Sequence, residues 1–192
     1  LILLSLTCVT FSQEKVLDTL EGKKQNLDEV IVESIRVKYS SPISHSNISK
    51  VELKSRNLGQ DLPVLLNFLP SIVTTSDAGA GIGYTGIRIR GVSAQSTNIT
   101  INGIPFNDTE SLGTYWVNLP DFASSIESLQ VQRGVGTSTN GSGAFGASIN
   151  ILTDANSVKP YAEISNTIGS YNTFKHTIKF STGEINNAFE FS

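Results

Sequence analysis

Residues 98–105, Asn98-Ile99-Thr100-Ile101-Asn102-Gly103-Ile104-Pro105, read as a β-branched strand closed by an Asn-Gly turn. That dipeptide supplies the two positive φ angles of a tight hairpin at least cost. On either side, Ile87 to Arg90 and Ser128 to Gln132 also have strand character, the second stopped by Gly134. Ala147 to Leu152 is a fourth candidate, reached through a glycine-rich loop over 134–146; another such loop, 79–86, precedes the strand at Ile87. Further upstream, Leu62, Leu65, Leu66 and Leu69 recur at helical spacing, which predicts a short amphipathic helix over Leu58 to Leu69. Pro63 is tolerated in its first turn and Pro70 ends it. Short strands with one or two helices predict a small α+β domain.

Beyond Pro160 the pattern becomes a dyad alternation. Ala162, Ile164 and Ile168 fall on one face of a strand, with Tyr161, Glu163, Ser165 and Thr167 on the other. Phe174, Ile178 and Phe180 alternate with Lys175, Thr177 and Lys179, and Phe189 and Phe191 with Ala188 and Glu190; turn residues fill 169–172 and 182–187. A transmembrane β-barrel and a half-buried antiparallel sheet both carry this pattern, so alternation alone does not choose between them.

Composition removes several classes of function. The chain has 192 residues, 39% of them hydrophobic and 16% charged, which suits one medium domain with a core plus a smaller element. Fourteen Lys and Arg against 17 Asp and Glu give a net charge of -3, with no basic surface for nucleic acid. The apolar run Leu1 to Phe11 resembles the core of a secretory signal peptide, with Thr10 and Ser12 at the small-residue cleavage positions. No later run reaches the roughly 20 apolar residues of a transmembrane helix, so any membrane insertion is expected to use strands. Cys8 is the single cysteine and lies in this leader, so disulfides, thiol nucleophiles and cysteine-bound zinc are not expected downstream. His45 and His176 stand alone, and no protein-bound metal or cofactor is expected. The absence of Met and the stop at Ser192 within an alternating run lead us to expect a piece of a longer protein.

These segments, in this order, resemble the plug domains of TonB-dependent outer-membrane receptors of the iron-complex type. Asp28, Glu29, Val30, Ile31, Val32, Glu33 and Ser34 stand where the family has its TonB box, an acidic residue followed by alternating aliphatics. Leu69 to Val73 is similar to the family's leucine-proline-glycine-valine turn, with Ser71 for glycine. Gly86 to Gly91 resembles the hallmark plug strand, and Asn98 to Pro105 its hairpin, with Asn102 for the usual aspartate. Ser125 to Gly134 matches the arginine-glycine element. Asn140 to Ile151 matches the glycine-rich ending, with Asn140 for tyrosine and Ala147 for glycine.

The resemblance implies a signal-peptide remnant over 1–12, a periplasmic leader over 13–27, a TonB box over 28–36 and an α+β plug over 37–155. Residues 160–192 would open an antiparallel transmembrane β-barrel of about 22 strands. It further implies a transporter and not an enzyme, driven through TonB by the proton gradient. Its cargo is most often a ferric siderophore, with cobalamin, haem or oligosaccharide as alternatives. The short leader leaves no room for the extra N-terminal domain of glycan-importing relatives, which favours a ferric chelate. Expected partners are TonB, an extracellular small-molecule ligand and outer-membrane lipid.

Arg88, Arg90 and Arg133 would pair with barrel-wall carboxylates; the alternative is that they face solvent. Tyr84, Asn107, Asp108, Glu110, Tyr115 and Trp116, in irregular stretches, are candidate ligand contacts, Trp116 being equally a core residue. Gly81, Gly83 and Gly86, and again Gly141, Gly143 and Gly146, fit a dinucleotide fingerprint as text. Both sets run into β-branched strands and not into the helix a pyrophosphate requires, which argues against a nucleotide-dependent enzyme. A secreted adhesion module would explain the leader and strands but not the acidic-aliphatic box.

Overall fold

The computed structural model describes residues 35–141, 143–185 and 189–192. The leader segments over 1–27 and the TonB-box residues Asp28 to Ser34 lie outside the described residues.

Strand β1 (His45–Ser49) runs straight into helix α1 (Lys50–Arg56). Ser49 is the N-cap of a capping box: its hydroxyl accepts from the Glu52 backbone at 3.4 Å while the Glu52 carboxylate accepts from Ser49 N at 2.9 Å. Two of the amides left orphaned at a helix start are thereby satisfied, so a seven-residue helix holds with only Leu53 buried.

The helix expected over Leu58 to Leu69 is shorter. Helix α2 covers Leu62–Leu65, and the chain continues through tight turns: Leu66 N donates to Pro63 O, Asn67 N to Val64 O and Leu69 N to Leu66 O, at 3.0–3.2 Å. Gly59, at φ +98, keeps Leu58 out of the helix and exposed. These i to i+3 turns still place Leu62, Leu65, Leu66 and Leu69 on one side, all buried. Asp61, just before α2, is 2% exposed and accepts the Thr85 hydroxyl at 2.8 Å, tying α2 to the next strand pair.

That pair is β2 (Ile72–Ser76) with β3 (Thr85–Ile89), antiparallel. Ser71, at φ 67, makes the left-handed turn into β2, where the sequence reading placed only a turn. Arg90, expected to end β3, is already left-handed at φ 56 and outside the strand.

The main sheet has the order β1-β6-β7-β4-β5, with β4 (Thr97–Ile101), β5 (Ile104–Pro105), β6 (Ile126–Arg133) and β7 (Ala147–Thr153). Only β4 and β7 run parallel. Asn102 and Gly103 turn the chain from β4 to β5 at φ 50 and 83, as the dipeptide requires. Ile99, Leu129, Val131, Ile149 and Ile151 line one face with Ile48 and Leu53 and form the core. The opposite face carries Gln130, Gln132, Ser148 and Asn150, also buried.

Strands β8 (Tyr161–Gly169) and β9 (Thr173–Ser181) form an antiparallel hairpin in unbroken register from Tyr161↔Ser181 to Gly169↔Thr173. Its orientation is the reverse of a soluble half-buried sheet. Ile164, Ile168 and Ile178 point outward, 70–77% exposed, while Glu163, Lys175 and Lys179 turn inward toward the α+β domain. Of the third alternating run, the described residues include Phe189, which makes an isolated antiparallel bridge to Ile185, and no ladder longer than that bridge is present among them.

Candidate functional site

The inward face of the hairpin meets the domain through charge. Lys175 Nζ lies 2.6 Å from Asp121 Oδ1 and donates to Ser124 Oγ at 3.1 Å. Lys179 reaches Asp154 Oδ2 at 2.8 Å, and Lys50 approaches the other oxygen of the same carboxylate at 2.7 Å and Glu127 at 3.1 Å. Lys54 pairs with Glu163 of β8. Burial would raise the Asp121 carboxyl, but hydrogen bonds from Lys175, Asn57 and Ser124 outweigh it and hold the group below the usual carboxylate range. Asp154 behaves alike, burial being outweighed by Lys179 and Lys50. For Lys50, the Asp154 and Glu127 bonds outweigh burial and raise the ammonium.

The pairs run in both directions: Lys175 and Lys179 of the hairpin reach carboxylates of the domain, and Lys54 of the domain reaches Glu163 of the hairpin. Among the described residues, Arg88, Arg90 and Arg133 have no carboxylate in ion-pair range. Arg88 is exposed on β3 and Arg90 is exposed beyond it. Arg133 is buried in β6 and donates to the hydroxyls of Ser44 and Ser46; burial, and then the charge of Arg90, lower its guanidinium.

The candidate ligand contacts separate into two groups. Tyr84, 67% exposed, Tyr115, 50% exposed, and Glu110 are free to meet a ligand. Trp116 is corrected to a core residue: at 3% exposure it packs in the hydrophobic cluster, which favours its large apolar surface over contact outside. Asn107 acts as a brace. Its Oδ1 accepts from Ile99 N at 2.7 Å and its Nδ2 donates to Thr97 O and Leu112 O at 2.9 Å, which commits both amide protons. Asp108 caps a turn, accepting the Ser111 amide and hydroxyl at 2.7 Å, and those bonds lower its carboxyl. Among the described residues, no three His, Cys, Asp or Glu side chains gather in a metal-binding group.

The end of the expected TonB box is not free-standing. Ile35, Arg36 and Val37 are held on the polar face of the main sheet by Gln130, Gln132 and Ser128. Sequence reasoning placed Ile35 and Arg36 in the TonB box and missed their contact with the sheet, and it missed Asp121, Asp154, Lys175 and Lys179 as a set. The signal for the first group was present, since Ser128, Gln130 and Gln132 alternate with Leu129 and Val131. A strand with two buried faces of opposite chemistry is legible there, but its covering segment is not.

A family model described as the TonB-dependent Receptor Plug Domain matches residues 37–148. The probable TonB-dependent siderophore receptor PirA of Acinetobacter baumannii is 28% identical over 152 residues, 73% of this chain and 20% of that protein. The vitamin B12 transporter BtuB of Vibrio vulnificus is 32% identical over 132 residues, 67% of this chain and 21% of that protein. The chain thus spans about a fifth of the length of the curated relatives it matches. Among solved structures, Pseudomonas aeruginosa FpvA bound to heterologous pyoverdines superposes with a TM-score of 0.60 at 19% identity, covering 74% of this chain and 18% of that one, a likeness of fold. With more than half of its length under the family model, the chain belongs to the TonB-dependent receptor plug domain family.

Proposed function

We propose that the chain is the plug and first barrel hairpin of an outer-membrane transporter that imports a ferric chelate, energised through TonB. The observation that carries this reading is the inverted hairpin: a nine-residue pair of strands with isoleucines outward and lysines inward on the plug's carboxylates. Water would penalise that exposed apolar face, whereas lipid would cover it, and a polar inner face suits a lumen filled by a plug. The relative described as a probable siderophore receptor supports the ferric chelate; the vitamin B12 transporter supports cobalamin as the second reading.

In this reading the plug covers 37–155 and the barrel opens over 160–192. Asp28 to Ser34 pair with TonB by strand addition. Arg88, Arg90 and Arg133 take carboxylates from barrel strands beyond this chain. Tyr84, Glu110 and Tyr115 contact the ligand. The test uses the full-length receptor. Trp placed at Ile178 should be quenched by brominated lipid, and labelled ferric siderophore should accumulate only in cells with TonB. An unquenched Trp refutes the barrel assignment, and uptake unchanged without TonB refutes the mechanism.

A further inference from the structure

The polar face of the main sheet is buried: Gln130, Gln132, Ser148 and Asn150 are at most 4% exposed. The chain's own segment 35–37 lies on it. Gln130 grips the backbone of Val37 at both of its polar groups, its Oε1 accepting from Val37 N at 2.8 Å and its Nε2 donating to Val37 O at 3.0 Å. Gln132 Nε2 donates to Ile35 O at 3.1 Å. Arg36 donates to Ser128 Oγ at 2.8 Å, Ser128 O at 3.0 Å and Asn150 O at 3.3 Å.

A two-point bond to one residue's N–H and C=O is what a neighbouring antiparallel strand would make. Here a side-chain amide makes it, and among the described residues 35–37 have no backbone hydrogen bond to the sheet. Along the chain, segment 35–37 leads to β1. Through the clamp it is tied to β6 and β7, 93 residues away at Val37 and Gln130.

We propose that segment 35–37 is a release strap. It anchors the N-terminal end of the plug to the middle strands of the sheet, so that tension on residues 28–34 loads β6 and β7 first. The strap detaches as a unit before the β1–β6 ladder opens. Side-chain bonds are the weaker link, because β1 is paired over five residues, from His45↔Gln132 to Ser49↔Ser128, and is anchored by Ile48 in the core. Detachment also leaves a face that remains partly satisfied. Gln132 Nε2 already donates to Gln130 Oε1 at 2.9 Å, and Asn140 Nδ2 to Gln132 Oε1 at 2.8 Å, so an amide chain persists while water takes the freed ends. The inference rests on the transport reading only for the source of the tension.

Hydrogen exchange on the full-length receptor in lipid nanodiscs tests it. In Gln130→Leu, the Val37 amide should exchange at least about tenfold faster while residues 45–49 keep their protection. Arg36→Ala, which alters the strap and leaves the sheet intact, should accelerate Val37 in the same direction. Pulling the wild-type receptor by an N-terminal tag should give a short first rupture that both variants lose. Unchanged Val37 exchange, loss of protection across 45–49 together with Val37, or an unaltered first rupture would each overturn the strap. Failure of the transport reading would instead appear as TonB-independent uptake by the wild-type receptor.

Discussion

Asp154→Asn is the sharpest perturbation of the contact between plug and hairpin. One carboxylate serves two lysines, Lys179 at 2.8 Å and Lys50 at 2.7 Å, and the substitution keeps its size while removing its charge. Fully exposed pairs are worth about 0–1 kcal/mol and breaking a fully buried one costs about 3–5 kcal/mol. With Asp154 24% and Lys179 22% exposed, the cost lies between these limits, at about 1–2 kcal/mol. That corresponds to a rise of roughly 5–30-fold in the population of the locally opened state. The reporter is the Asp154 amide, which donates to Ser125 O at 3.0 Å beside these ion pairs, and its exchange should accelerate by that factor. Exchange unchanged within twofold would mean that solvent already screens the pairs, and their role in holding the hairpin would be refuted. The pH dependence has a definite sign. Asp154 and Asp121 are held below the ordinary carboxylate range when folded, so their contribution is present above the unfolded value of about 3.9 and is lost as pH falls through the lower folded values. Acid below about pH 4 should loosen the hairpin contact in the wild type, and less so in Asp154→Asn.

Trp116→Ala should destabilise the plug by about 3–5 kcal/mol through the cavity it leaves, seen as protease sensitivity, whereas Tyr115→Ala should alter ligand affinity alone. Gly146→Ala would place a Cβ 2.8 Å from Val92 Cβ and 3.2 Å from Ser96 O, and should cost about 1–3 kcal/mol by thermal unfolding; an unshifted melting temperature would contradict the close approach. Ser49→Ala removes the capping hydroxyl and should cost about 1 kcal/mol in the same measurement. Ile31→Pro or Val32→Pro should leave ligand binding at wild-type affinity and abolish uptake, because proline removes the backbone donor that strand addition needs; transport at the wild-type rate would sink the box assignment.

Much of the fold could be read from local chemistry. The four leucines found their core, the Asn102-Gly103 turn formed where that dipeptide demands it, and the two barrel-like strands paired in the expected alternation. Other elements were hidden for identifiable reasons. The capping box Ser49 to Glu52 was present, but one buried leucine in a seven-residue helix gives no periodicity to notice. Strand β2 follows Pro70 and a left-handed Ser71, so turn signals masked its start. The direction of the hairpin could not be read, because alternation is symmetric between its faces and only packing assigns one to the plug. For the same reason Arg88, Arg90 and Arg133 could not be given partners from one strand's text. Two of the pairs between domain and hairpin use Asp121 and Asp154, which lie outside regular alternation.

The chemistry of the two plug contacts bears on what the plug can do. A hydrophobic interface between plug and wall would cost about 25 cal/mol for every Å² of apolar surface bared on separation, with no return from water. The contacts here are lysine with aspartate or glutamate at the hairpin, and amide or guanidinium with peptide at the strap. When such groups part, water replaces each lost bond, so the net cost of a paired group is small even though an unpaired buried one is costly. On the proposed transport reading, a plug seated by polar contacts would hold its position while at rest and be drawn away under modest tension. Its apolar core, closed around Leu53, Leu129 and Ile149, keeps it folded in both situations. The same reading accounts for the lysines pointing inward and the isoleucines outward: in the proposed barrel the hairpin would give its apolar face to lipid, which never leaves, and its polar face to a neighbour that must.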